Sequence, residues 1–425
     1  QANLDKVKED VPQLTQSLSG SDTPQVSVKN SKTDIINELE TPLLKLKFAA
    51  KGAALVYAEL KQYPVEKGSA EKVVLFNYQG NDYLTESGLV SGVTNFSHNL
   101  LFTAENSNKT LESGETTLVF KAATDQGSVV KTYTIKADSY AIEFKQEVTN
   151  NTSSDWMMSE YNQIKRNNPW EGKDAGFTDS SRYSFKGAAY FDSEEGYEKL
   201  TFEDMIDEPV KTTLGADAWV GMAQHYFFTA VIPKSEKIEV QTEYKSGNNT
   251  PYLIRYLTPE KEVLAGGSQS FESTLVVGPK LQKELPNINK GLDLTVDYGW
   301  LFFIAYPLFV LLDFLHSILG NWGLAIIGVT VVVKALFFKL SAASYRSMAN
   351  MRRVAPKLKS LKDQYGDDRQ KMSQAMMELY RKAGANPLGG CIPMLLQMPI
   401  LFAFFRFFPA SIELRQQGFL YWPKY

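Results

Sequence analysis

LAIIGVTVVVKALFF at 324–338 and IPMLLQMPILFAFFRFF at 392–408 decide how this chain folds. Each is apolar on every face apart from single polar residues, whereas a helix in a water-soluble core normally keeps a wet stripe. Neither is a clean run of about twenty apolar residues, so buried core helices are the competing reading. The missing wet stripe favours two membrane spans, over 321–343 and 391–409. Between them lies a strongly basic segment: residues 339–391 carry eleven Lys/Arg against four Asp/Glu, or +7, within a chain whose net charge is −3, which leaves −10 for the rest. The positive-inside rule puts that segment in the cytoplasm.

A third apolar stretch, WLFFIAYPLFVLLDFLHSIL at 300–319, is interrupted by Pro307, Asp313 and His316, and Gly320-Asn321 follows directly. If it crossed the bilayer, the basic segment would lie on the same side as everything N-terminal to it; if it lies flat, the two lie on opposite sides. A Trp- and Tyr-bearing segment with proline and aspartate suits the interface better than the hydrocarbon. Residues 299–320 are therefore expected to form an amphipathic interfacial helix on the outer surface.

The N-terminal part is of a different kind. QVSVKN (25–30), LKLKF (44–48), ALVYAEL (54–60), TTLVFKA (116–122), TYTIKA (132–137) and IEVQTEY (238–244) are short runs, several of which alternate apolar and polar residues. That is the period-two mark of half-buried strands. Turn signals separate them, among them Gln79-Gly80-Asn81-Asp82, Gly247-Asn248-Asn249 and Gly266-Gly267. A large antiparallel sandwich is expected over 25–280. It would follow a flexible lead-in at 1–24 and precede a connector helix at 281–298. The chain opens on Gln1 rather than Met, which fits the removal of something upstream.

The basic segment reads as a helical hairpin over 344–385. Met348, Met351, Val354, Leu358, Leu361 and Tyr365 recur at helical spacing; Gly366-Asp367-Asp368 breaks the run, and Asp367 or Asp368 can cap a second helix carrying Met372, Met376, Leu379 and Tyr380. Arg352, Arg353, Lys357 and Lys359 supply charge, and Met372 and Met376 supply soft apolar surface of the kind that meets varied partners, although for any single methionine ordinary hairpin packing is the favoured reading. Residues 410–425 would return to the outer side.

Chemistry is sparse. One cysteine, Cys391, and three scattered histidines, His98, His225 and His316, exclude a disulfide framework and argue against a metal cluster. No nucleophile elbow, phosphate loop or dinucleotide fingerprint is present, so no cofactor and no enzymatic reaction are expected. His225 falls in a strand pattern and reads as structural. The informative polar residues are those inside the spans. Lys334 lies about 18 Å into a layer about 30 Å thick, where an ammonium costs about 2.5–3.5 kcal/mol unless it faces water or a partner. Lys339 and Arg406 read as ends that snorkel. Gln397 lies about 8 Å in from the cytoplasmic edge, in the same leaflet as Lys334. Pro393 and Pro399 remove backbone donors from the second span. A hydrophilic pocket open to the cytoplasm is expected, with snorkelling of Lys334 and Gln397 as helix-pairing glue the alternatives.

NPLGGCIPMLLQMPI at 386–400, preceded by GDDRQKMSQAMMELYRKAGA, resembles the YidC/Oxa/Alb family of membrane insertases. So do VDYGWLFFIAYPLFVLLDFLHSILGNWG at 296–323 and the sandwich pieces FKGAAYF (185–191), YEKLTF (197–202) and WVGMAQHYFFTAVIP (219–233). The resemblance covers roughly residues 25 to 415 and is strongest after 290. It implies a periplasmic sandwich similar to sugar mutarotases, held by a multi-pass protein of the bacterial inner membrane. It also implies a groove open to cytoplasm and lipid, with Lys334 in place of the family's positive residue, usually arginine. Lysine keeps the charge but loses the planar fork. Gln397, Pro393, Met394, Met398 and Pro399 would line the groove and slide. Nascent membrane proteins would be the substrates and no small molecule would be; the ribosome, the Sec translocon (SecYEG, SecDF) and membrane lipids would be the partners. The family's further spans, one before the sandwich and three after 409, are expected to belong to a longer protein. The alternatives are a membrane-tethered scaffold and a sugar-binding sandwich, which would need His98 or His225 beside a carboxylate.

Overall fold

The structure, a computed structural model, describes residues 11–12, 34–78, 83–106, 109–168, 184–245, 251–366, 368–382 and 392–419. QVSVKN, the turns at 79–82 and 247–249, Asp367 and the 386–391 block lie outside the described residues. The chain divides into two units, Gln1–Val296 and Asp297–Tyr425.

The first unit is a β-sandwich, built from the alternating runs. A nine-stranded sheet has at its centre the strands Phe227–Pro233, Ser268–Pro279, Ala141–Asn150 and Gly127–Lys136. A seven-stranded sheet is centred on Pro251–Leu257, Trp156–Asn167 and Leu84–Ser91, and a five-stranded one on Leu44–Ala49. Among the described residues every pairing is antiparallel except that of Ile35–Glu40 with Lys109–Thr110. Both smaller sheets pack on one face of the large one. Phe48 of the five-stranded sheet meets Phe120 and Tyr133 at 5.4 and 4.9 Å between ring centroids, and Asn162 of the seven-stranded sheet reaches Ser273 at 3.4 Å.

The interface between the layers contains buried polar groups hydrogen-bonded to one another. Lys131 donates to the carbonyls of Gly52 and Ser87 at 2.8 and 2.7 Å and to Ser87 Oγ at 2.8 Å. Gln146 donates to Glu160 at 2.9 Å, and Tyr256 donates to the same carboxylate at 3.2 Å. Burial raises the Glu160 carboxyl above its ordinary range, with the hydrogen bonds and nearby lysines opposing it.

Two sequence readings change here. His225 sits in the turn between Trp219–Ala223 and Phe227–Pro233, not in a strand, with its ring stacked on Tyr226 at 3.9 Å. Asp192 is buried, and accepts the backbone N–H groups of Glu194, Glu195 and Gly215 at 3.0, 2.6 and 3.0 Å. Helix α1 is the single turn Asp204–Asp207. The connector is no continuous helix over 281–298: it holds the short helix α2, Leu285–Ile288, and a 3-10 turn, Leu292–Thr295. It lies against the outer face of the large sheet, where the Trp219 indole N–H donates to Lys290 O at 3.2 Å.

The second unit is helical: α3 Phe302–Leu319, α4 Trp322–Leu336, α5 Phe338–Tyr365, α6 Arg369–Lys382 and α7 Ile392–Ala410. Residues 299–319 form a helical stretch long and apolar enough to cross a membrane. Within the span expected over 321–343 the helix breaks at Phe337, and α4 and α5 meet at 60°. Sharp bends usually fall at proline or glycine, and here Leu336, Phe337 and Phe338 stand at the bend instead.

Candidate functional site

Gly320, with φ of 64°, ends α3, and the Asn321 side chain accepts the Leu324 N–H at 3.1 Å to start α4. This asparagine cap satisfies a backbone donor that the helix start leaves orphaned. The His316 ring stacks on Trp322 across the elbow, 3.8 Å between centroids and 6° from parallel. α3 buries Ala305, Leu308, Phe309 and Leu312, one helical stripe, and leaves Phe302, Phe303, Tyr306, Val310, Phe314 and Ile318 exposed. α4 buries Ala325 and Val329, one turn apart. Gly328 keeps the helices close, since a Cβ there would lie 3.0 Å from Leu315 Cδ1.

Lys334 therefore faces away from that buried stripe. With Thr330, Val331, Ala335 and Phe338 it lines an open cavity of about 510 Å³ that runs past the bend into α5. Thr330 donates its hydroxyl to Ile326 O at 2.9 Å, so it adds little polarity. The Lys334 ammonium is exposed, and has no hydrogen-bond or ion-pair partner among the described residues. Thr330 and Phe338 were not singled out from sequence. Their spacing of four residues on either side of Lys334 is the signal that would have found them.

Pro393 lies in the first turn of α7. Met394 is exposed, and Gln397, Met398 and Pro399 are half-buried. Ala403 and Phe407 form the buried stripe of α7, with Phe407 against Phe309 of α3 and Tyr298 at 6.2 and 5.9 Å. Met394, Leu395, Leu401, Phe402 and Phe405 remain as a long exposed apolar face. Lys334 and Gln397 thus sit on helices that both pack on α3, and no hydrogen bond joins them among the described residues. Arg406 does not extend freely as a snorkelling end: it is half-buried and folded over Gly299, where a Cβ would meet its Nη2 at 3.0 Å.

In the hairpin, Asp368 is the cap, accepting the Lys371 N–H at 3.0 Å. Arg352, Arg353, Lys357 and Lys359 are all exposed, while Val354 is buried. Met372 and Met376 are half-buried with Leu379 and Tyr380 on one face of α6, and Met377 is the outward methionine.

In the sandwich, His98 Nε2 does lie 3.7 Å from a Glu86 carboxylate oxygen. Both are engaged, however: His98 Nδ1 is 2.7 Å from the Tyr161 hydroxyl, and Gln163 donates to Glu86 at 2.6 Å. His98 is 4% exposed, and burial pushes its imidazole below the ordinary range. The pair is packed as structure, with His225 in a separate turn.

Two family models match successive parts of the chain. The family model described as YidC periplasmic domain matches residues 37–311, and that described as 60Kd inner membrane protein matches 314–424. The chain is 38% identical over 387 residues to the membrane protein insertase YidC of Bordetella avium, covering 90% of this chain and 68% of that protein. It is 38% identical over 421 residues to that of Pseudomonas entomophila, covering 95% and 74%. Among solved structures, a galactose mutarotase related enzyme from Lactobacillus acidophilus is 10% identical with a TM-score of 0.37, covering 56% of this chain and 96% of that one. A putative aldose 1-epimerase from Escherichia coli is 9% identical with a TM-score of 0.35, covering 57% and 98%. Those two likenesses are too distant to carry an argument. The matched sequences span both units, so this chain belongs to the YidC family of membrane protein insertases.

Proposed function

We propose that the second unit guides the polar tails of nascent membrane proteins past Lys334 and passes their apolar segments along α7 into lipid. The observation that carries this reading is the unpartnered ammonium of Lys334 in a cavity whose other walls are mostly apolar. In a low-dielectric setting such a charge attracts an acidic or polar tail far more strongly than it would in water. Burial of about twenty apolar residues in lipid then drives transfer without a nucleotide. The exposed apolar face of α7 offers a path for that segment. The four exposed cations of α5 would attract ribosomes on the cytoplasmic side, and cooperation with the Sec translocon is compatible with the same route. In this reading the protein is multi-pass in the inner membrane, the sandwich is periplasmic and α3 lies in the outer interface.

Site-specific photo-crosslinking tests it. A probe at Gln397 of the full-length protein, offered ribosome-bound nascent membrane proteins, should give adducts, and a control probe at Tyr57 in the sandwich should not. A silent Gln397 beside an active Tyr57 would turn the helices into an anchor and move the function to the sandwich.

A further inference from the structure

We propose that the outer face of the seven-stranded sheet is a docking site for the chain's own lead-in, gripped at Val11–Pro12. Register builds the floor of the site: Tyr161 stands opposite Gly88 on one side and Leu257 on the other, with Val90 on the same face two residues beyond Gly88. A Cβ on Gly88 would lie 2.6 Å from the Tyr161 hydroxyl and 2.8 Å from two of its ring carbons, so the ring lies across the glycine instead of standing away from the sheet. The hydroxyl is fixed at its far end, accepting the His98 backbone N–H at 3.1 Å and lying 2.7 Å from His98 Nδ1.

Val90, Tyr161 and Leu257 thus make a rigid apolar cluster, and Val11 packs on it. Pro12 beside it is buried. Two residues of a polar lead-in, more than twenty positions before the first strand at Ile35, are held by side-chain contact rather than by chain continuity. Proline cannot donate to a strand ladder, so the grip is on the face of the sheet and not a strand added at its edge. In the neighbouring row on the same face the side-chain bonds run within the sheet, and Gln163 Oε1 is left without one. Glu86, Gln163, Arg255 and Gln241 stand side by side across four strands. They bond one another, Gln163 to Glu86 at 2.6 Å and Arg255 to Gln241 at 2.9 Å. The apolar cluster is therefore what recognises the strap, and an extended segment with a small apolar residue before proline is the chemistry it takes.

Spin-label distances in the full chain, with Cys391→Ser, test this. Labels go on Gln13→Cys and on Val93→Cys, an exposed position three residues past Val90. The parent should give one narrow distance, Val11→Ile should keep it, and Val11→Asp should lose it to a broad distribution. Val11 belongs to no strand, so an unchanged melting curve for Val11→Asp shows that the sandwich itself is intact. A broad distribution in the parent, or a narrow one that survives Val11→Asp, overturns the proposal.

Discussion

Lys131 and Lys334 are the same side chain in opposite surroundings. Lys131 is 0% exposed, and its three ammonium hydrogens meet three oxygens, those of Gly52 O, Ser87 O and Ser87 Oγ. Burial pushes it down from 10.5 to about 7, against the pull of the Glu160 and Glu86 carboxylates. Because the folded value lies below the unfolded one, the unfolded chain holds more protons between the two, and stability rises with pH across that window. The difference in unfolding free energy between the parent and Lys131→Met, followed by urea titration from pH 7 to 10, should therefore grow in favour of the parent as pH rises. A flat difference would mean that the ammonium is no worse placed in the fold than in water. Lys334 has no such oxygens among the described residues, and its charge faces a cavity instead. Under the proposed mechanism Lys334→Leu should lower insertion of substrates with acidic tails at least about tenfold, roughly 1.4 kcal/mol. Lys334→Arg should retain most of it, because a cation remains. Equal insertion by all three proteins, at equal expression, would remove the ammonium from the mechanism.

Strands and helices were legible in proportion to how local their causes are. TYTIKA at 132–137 alternates because one face of Gly127–Lys136 packs on Phe48 and Phe144 and the other is wetter. The Met351–Val354–Leu358 spacing likewise marks the buried side of α5. Lys334 was legible as a candidate because a charge in an apolar run has few explanations. Three features were not legible, each depending on distant residues. The bend at Phe337 has no proline or glycine to announce it. His225 continues an apolar run, yet the chain turns there. Lys131 alternates like an exposed lysine, and only the pairing of three sheets brings Gly52 and Ser87 to its amine. Gly291 belongs to the same class. Its φ is 77°, and a Cβ would lie 2.5 Å from the Phe191 ring, so the connector seats on the sandwich through a missing side chain. Gly291→Ala should cost about 2–4 kcal/mol, combining left-handed backbone strain with overpacking. Gly266→Ala is the matched control: its φ is 69° and nothing lies within 4 Å, so only the backbone strain remains, about 1 kcal/mol. Equal losses of melting temperature in the two variants would mean that the Phe191 contact relaxes freely.

At the scale of the whole molecule, the decisive quantity is the charge difference between the parts: +7 over 339–391 against −10 for the rest of the chain. That asymmetry orients a membrane protein, since positively charged short loops stay in the cytoplasm. The helix count then matters by parity. α3 is long and apolar enough to span; if it does, the sandwich and the hairpin share one side of the membrane. If it lies in the interface, the single crossing by α4 separates them. The exposed row Phe302, Phe303, Tyr306, Val310 and Phe314 is compatible with either placement, because lipid covers it in both. Pro307 and Asp313 favour the interface, since a carboxylate in the hydrocarbon is costly and one at the headgroups is not. Single cysteines in a Cys391→Ser background decide it. Lys67→Cys lies on an exposed turn of the sandwich and Ser360→Cys on an exposed turn of α5. With a membrane-impermeant maleimide applied to spheroplasts, Lys67→Cys should label and Ser360→Cys should label only after lysis. Labelling of both in intact spheroplasts would make α3 a true span. It would also place the basic hairpin outside, away from ribosomes, and the cavity at Lys334 would then need a substrate arriving from the other side.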